Sequence, residues 1–481
     1  MIDDHIGWVE STQTEIINDD KSDRETHDNI QNIVKATISS AKNQCNDDIN
    51  EFAKDAIKNE YYEFVEAKHA VKQYKYCTKH LKHIVDRNFV KPKDYDKWTD
   101  KEQYEHMLDN IKTYVPNVPD SLLFLMPAAG RRGDCGNSTD KPFWLDMEKF
   151  QRGQKFARDH IFSIFFANLL SAFLLFSSID GLKPLIFTQK SHTPYLAFKR
   201  YLSSICRGRI WMTGNPWIKG TQAYNSIQTV RKIHRAARLK FCEQDTEEFD
   251  RASEIQNPWC PSRKTILKDL SSLVVENDFL HLAPTFTGLN QADMAMTQFA
   301  FMGTVLLYPH QFGIYASDED MEAFCHTWKG IGYLLGMEDQ YNFCRGSLKE
   351  IKQRSHDLVE TWLKFYLRDV TPEWEHMLRC ITESTSYLHD YLNNLTFEML
   401  LLFITDLLNI DMPCLRSTLT YFQRFNLMVL RFILRYAMKL GFVREFLNKI
   451  FHKTLDKAVK YGPEKHETLK KRSEKVLNES W

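Results

Sequence analysis

The chain has 481 residues, with 63 basic and 63 acidic side chains, ten Cys and 43% apolar residues. That length is ample for a large core, and a formal net charge of zero argues against a nucleic-acid binder, which shows a basic excess. Only 18 residues are Gly, about half the usual frequency of roughly 7%. Sandwiches, propellers and nucleotide-binding sheets spend Gly on turns, so the composition favours an all-α fold. An aromatic content of 13% excludes chain-wide disorder.

Residues 1–115 read as a polar helical region, whose first sixty positions hold 14 acids and 6 bases. The opening Met1–Gly7 has neither the basic nor the apolar stretch of a secretory signal, so an intracellular protein is expected. Pro116, Pro119, Pro127 and the run Gly130-Arg-Arg-Gly-Asp-Cys-Gly136 break the pattern and mark 116–143 as a linker or loop. Helical signals resume at Trp144, giving a central domain over 144–370 and a C-terminal helical region over 371–481. The last 51 residues carry 13 bases and 6 acids.

Residues 161–179 hold no charge over 19 positions, long enough for a membrane span. Asn168 and four Ser interrupt them, and Asp180, Gly181 and Pro184 follow at once. These features favour a buried core helix. Residues 398–410 are too short to cross a bilayer and contain Asp406. Residues 426–443 place Arg431, Arg435 and Lys439 at i, i+4 and i+8. Such a basic stripe on an apolar helix fits an anionic membrane surface, or docking on the core with the stripe to solvent, which we favour.

The ten Cys form no C-x-x-C pair and scatter through the chain, as reduced thiols do. There is no G-x-G-x-x-G, Walker A loop, G-x-S-x-G elbow or H-E-x-x-H, which weakens dehydrogenases, kinases, α/β hydrolases and zincins together. Helix-borne His and Arg remain. Within Gln222–Phe241, the residues Ile227, Val230, His234, Ala237 and Phe241 share one helical face. His234 therefore projects from an apolar face, while Arg231, Lys232, Arg235 and Arg238 spread over the rest. A buried imidazole must be hydrogen-bonded or coordinated; a satisfied core histidine and a metal or haem ligand both meet that need.

This segment resembles the catalytic-domain family of the ER-bound oxygenase MpaB and the rubber oxygenases (latex clearing proteins). The family pattern is an Arg, a Thr four positions later and a proximal His thirty positions after that; here it reads Arg200, Ser204 and His234. Trp144–His160 is similar to the family's opening helix. Gln291–Gly303 resembles its D-M-x-x-T-Q-x-x-F-x-G signature, and Glu319–Gly336 its H-x-W-R-x-I-G-x-x-L-G helix. The resemblance covers about half the chain, residues 144–370. It implies an all-helical oxygenase holding haem b (iron) through His234. Arg200 would then lie at a propionate or near bound O2, with Ser204 as a hydrogen-bond donor. It further implies a lipophilic, isoprenoid-like alkene as substrate, oxidative C=C cleavage, and attachment at the ER membrane.

The sequence departs from that pattern in four places. Ser204 replaces the Thr, Ser203 stands where rubber oxygenases carry a Lys, Pro184 replaces their Glu, and Lys329 replaces an Arg. Asp180 is the nearest acid to Pro184. Beside these, His326 reads as a core or loop histidine packed near Trp328, and Asp293 as a helix N-cap. Thr297 and Gln298 stand at the border of a pocket. Met294, Met296, Phe299, Phe301 and Met302 form an apolar wall. The missing Glu and Lys leave a second reading open, a non-catalytic helical scaffold or lipid-binding protein.

Overall fold

A computed structural model describes residues 91–479 except 115, 245, 274–287 and 389–393. The expected helices of residues 1–90, with Cys45 and Cys77, lie outside the described residues. Those described form helices and loops without a strand; a single bridge joins Arg132 to Asn290. The helices of eight residues or more are α1 (Asp100–Asp109), α2 (Met147–Asp159), α3 (Ile161–Leu175), α4 (Ile179–Phe187) and α5 (Pro194–Thr213). Then come α6 (Gln222–Glu243), α7 (Arg263–Leu270), α8 (Gln291–Leu307), α9 (Asp318–Leu334) and α10 (Leu348–Asp357). The last are α11 (Pro372–Leu388), α12 (Phe397–Leu407), α13 (Tyr421–Arg435), α14 (Gly441–Val459) and α15 (Pro463–Asn478). The all-α expectation holds.

Most of these helices begin where the sequence supplies a cap. Asp146, Thr193, Thr221, Asn290, Ser317 and Thr420 each accept a backbone N–H of the first turn, satisfying donors that the helix itself leaves unpaired. At α8 the cap is Asn290, and Asp293 completes a reciprocal box from three residues inside. The cap therefore lies three residues before the position expected for it.

α3 is the central core helix. Phe166, Ala167, Leu170, Phe173 and Leu174 are buried, and rings from α12 meet it at Phe166–Phe403 (5.4 Å) and Phe173–Phe397 (5.5 Å). The Ser171 hydroxyl reaches Thr304 of α8 at 2.8 Å and Ser177 donates to the Leu174 carbonyl at 2.6 Å, so these two serines of the apolar run are bonded inside the core. Among the described residues no single helix is long and apolar enough to cross a membrane; α2 and α3 pass that test only together and bend by 85° at their junction.

α2 and α9 approach closely because Gly153 lacks a side chain. A Cβ there would lie 2.1 Å from the Ala323 carbonyl oxygen and 2.2 Å from Thr327 Oγ1. The Thr327 hydroxyl donates across the gap to the Phe150 carbonyl at 2.9 Å. A helical hairpin, α5 and α6, stands beside this pair. Gln154 of α2 donates to the carbonyls of Trp211 and Gly214 (2.6 and 2.7 Å) and so ties the hairpin to the core. The eight described cysteines are all free thiols.

Candidate functional site

α6 carries the site. Its inward face holds Ala223, Ile227 and Phe241, as the apolar spacing requires, but it also buries Arg231 and Arg238. These two cations were expected on the solvent side; instead they flank His234 three residues before and four after it. Partners outside the helix explain their burial. Arg231 grips Asp134 with two bonds, Nε to Oδ2 at 2.9 Å and Nη2 to Oδ1 at 2.5 Å, and also reaches Asn137. Arg238 donates to the Gly288 carbonyl at 2.8 Å. The loop that supplies Asp134 is in turn held by Gln291, whose amide donates to the carbonyls of Arg132, Gly133 and Gly336, each at 3.0 Å.

Between the two arginines, His234 is partly buried, and its Nδ1 has neither solvent contact nor a hydrogen-bond partner. Burial pushes the imidazole down to about 4, the nearby Arg200 charge adds to this, and Asp134 opposes it. The ring is therefore neutral at physiological pH and keeps a lone pair to offer. Other polar atoms in this region share the condition. Tyr201 Oη, His192 Nδ1 and Gln228 Nε2 are buried without a hydrogen-bond partner among the described residues, and burial pushes the Tyr201 phenol up to about 12. Unpaired buried polar groups are rare in native proteins, so each of these needs a reason.

Arg200 and His234, thirty-four positions apart, are brought within electrostatic reach by the α5–α6 hairpin. The Arg200 side chain is steadied by the buried Ser191 hydroxyl at 3.2 Å. Ser204 is placed differently: it is exposed, and its hydroxyl donates to the Arg200 carbonyl at 3.1 Å. That is the local bond a helical serine makes one turn back. Ser203 is exposed as well.

The second block of the sequence mostly builds structure. Gln298 donates to the Trp328 carbonyl and accepts from the Phe343 backbone N–H (2.9 and 2.8 Å), while Thr297 is exposed and bonds back to the Asp293 carbonyl. His326 lies 3.1 Å from the Asp146 backbone and edge-on to Trp144, so Trp144, not Trp328, is its neighbour. Lys329 sits 4.0 Å over the same Trp144 ring, and Trp144 Nε1 donates to Asp339 at 2.8 Å. Met294, Phe299 and Met302 are buried in the core, and Phe301 stacks on Trp328 at 4.6 Å. Asp293 is the exception. Burial pushes its carboxyl up to about 6, against the pull of the Asn290 N–H and Arg238, with Asp180 reinforcing the rise. Two residues escaped the sequence reading, Asp134 and Tyr201, and nothing in their local spacing marks them.

His234 and Arg200 have the side-chain chemistry a haem would use: a neutral imidazole could ligate its iron and a nearby guanidinium could meet a propionate. Among the described residues no group of three or more His, Cys, Asp or Glu side chains gathers around a common point as a bare metal ion would require. No family model matches this chain, and no curated protein matches it. Among solved structures it is similar to latex clearing protein LCP in the closed state, at 16% identity and a TM-score of 0.41. That likeness covers 74% of this chain and 86% of the other.

Proposed function

We propose that this chain is a haem-dependent oxygenase that acts with O2 on a lipophilic, isoprenoid-like alkene. The observation that carries the reading is His234: neutral, inward on α6, with Nδ1 unpartnered. The spacing to Arg200 and Ser204 and the two signature blocks of the sequence support it. Haem, when bound, supplies an iron centre that activates O2, by resemblance for oxidative C=C cleavage.

The chain's own residues divide the remaining work. His234 would hold the iron through its imidazole, and the α6 backbone fixes the direction of that side chain because Arg231 and Arg238 anchor the helix on either side. Arg200 offers a fork of N–H donors held by Ser191, suited to a carboxylate. Ser204 is a positioning residue, spending its hydroxyl on the Arg200 carbonyl. Tyr201, kept protonated by burial, remains an O–H donor. The proposal extends to an intracellular protein held at the ER surface, which carbonate extraction and protease protection test.

The deciding experiment is reconstitution of the purified full chain with hemin, followed by O2 uptake in the presence of a short polyisoprene. A Soret band with carbonyl products is expected. A chain that stays colourless returns the protein to the scaffold or lipid-binding reading.

A further inference from the structure

α13 is mounted with an apolar face outward. Its inner side is narrow: Leu427 and Leu434 are buried, followed by Met438. Its outer side carries Tyr421, Phe425, Met428, Phe432 and Tyr436 at i, i+4, i+7, i+11 and i+15, each at least 50% exposed. Phe422 widens it on α13, and Leu440, Phe442 and Phe446 extend the surface onto α14. Nine of the fourteen exposed large apolar side chains among the described residues thus fall between 421 and 446. An apolar concentration of this kind marks a contact surface, because a helix facing only water turns such residues inward.

Charge identifies the contact. Between residues 420 and 455 the chain has seven Lys or Arg and one acid, Glu445. Arg431 and Arg416 are spoken for by Asp406. Arg435 and Lys439 have no acidic partner among the described residues and lie over the Tyr436 ring at 5.6 and 5.7 Å. Beneath the helix runs a cleft of about 460 Å³, apolar at Leu402, Leu419 and Leu427, with Arg416, Arg424 and Arg435 among its lining. Aromatic rings beside cations on long stems match the boundary between acyl chains and phosphates.

We infer that the α13–α14 face seats the protein on an anionic phospholipid bilayer. The Tyr421–Tyr436 stripe enters the acyl boundary, and Arg435 and Lys439 meet lipid phosphates. The helix lies in the plane of the surface and does not cross it. The inference stands apart from the haem reading, since none of these residues touches His234.

Flotation of the full chain with vesicles tests it, using phosphatidylcholine alone or equal parts phosphatidylcholine and phosphatidylserine. The wild type should float with the anionic vesicles and stay behind with the neutral ones. Phe425→Ser/Phe432→Ser should abolish flotation, and Arg435→Gln/Lys439→Gln should weaken it roughly 30-fold, from about 5-fold per charge. All four positions are exposed, so circular dichroism and haem uptake should match wild type. Three results would overturn the inference. They are wild type that does not bind anionic vesicles, aromatic variants that bind as well as wild type, and a wild-type dimer that the aromatic variants convert to monomer without any vesicle binding.

Discussion

Replacing Asp134 tests how the candidate site is held. Its carboxylate and the Arg231 guanidinium are 4% and 9% exposed, so solvent screens them little. Removing one member of a buried pair costs about 3–5 kcal/mol, because the other charge is left uncompensated. Arg231 would keep the Asn137 carbonyl and amide oxygens at 3.1 and 2.9 Å, which places Asp134→Ala near the lower end, about 3 kcal/mol. Arg231→Ala leaves Asp134 with the Gly136 N–H and with Arg235, whose Nε is 3.9 Å away, and should cost a similar amount. The double variant removes both charges and should cost clearly less than the two single costs added together. Guanidinium unfolding followed by far-UV circular dichroism measures all three. Strict additivity, or a loss below about 1 kcal/mol for Asp134→Ala, would refute the claim that this pair anchors α6.

Acid should destabilise the haem-free protein through its histidines. Burial holds His234 and His160 down to about 4, whereas an unfolded His titrates near 6.5. Between those values the unfolded chain binds more protons, so stability falls as pH drops from about 6.5 to 4, by up to roughly 3 kcal/mol per residue. Asp293, raised to about 6, binds its proton in the folded state first and offsets part of the loss. His234→Phe should flatten the dependence of melting temperature on pH in that window, and a slope equal to wild type would contradict the burial. Gly153→Ala should separate α2 from α9, since the new Cβ meets a backbone oxygen at 2.1 Å, and cost about 3 kcal/mol or more; a melting temperature equal to wild type would refute that contact. Arg200→Ala should retain haem but hold it more weakly, while Ser204→Ala should change affinity little, which a hemin titration of both variants resolves.

The helical class was legible because a Gly-poor chain with three- and four-residue apolar spacing has few other ways to bury itself. Residues 161–179 were legible for the same reason: their serines and Asn168 suit a packed interior, and Ser171 finds Thr304 there. Of the apolar face read on α6, Ile227 and Phe241 are buried, while Val230, His234 and Ala237 are partly buried. The burial of Arg231 was not readable, because its partner Asp134 lies 97 positions away in a Gly-rich stretch that looks like a simple linker. The orientation of α13 escaped for a different cause. Leucines and aromatics occur on more than one side of that helix, so the pattern alone does not choose between Leu427 and Leu434, which face the core, and Phe425 and Phe432, which do not. Trp144 reads in the sequence only as the start of a helix, yet it organises His326, Lys329 and Asp339. Such clasps depend on tertiary approach, not on local spacing.

The central claim is that His234 would hold a haem iron through its imidazole. Its most direct measurement is haem stoichiometry by pyridine haemochrome, on wild type and on His234→Ala reconstituted in parallel, with circular dichroism confirming that α6 survives. Wild type should hold haem in equimolar amount, and His234→Ala should lose it or retain it only weakly with a displaced Soret band. Equal haem content and identical spectra in the two proteins would contradict the account.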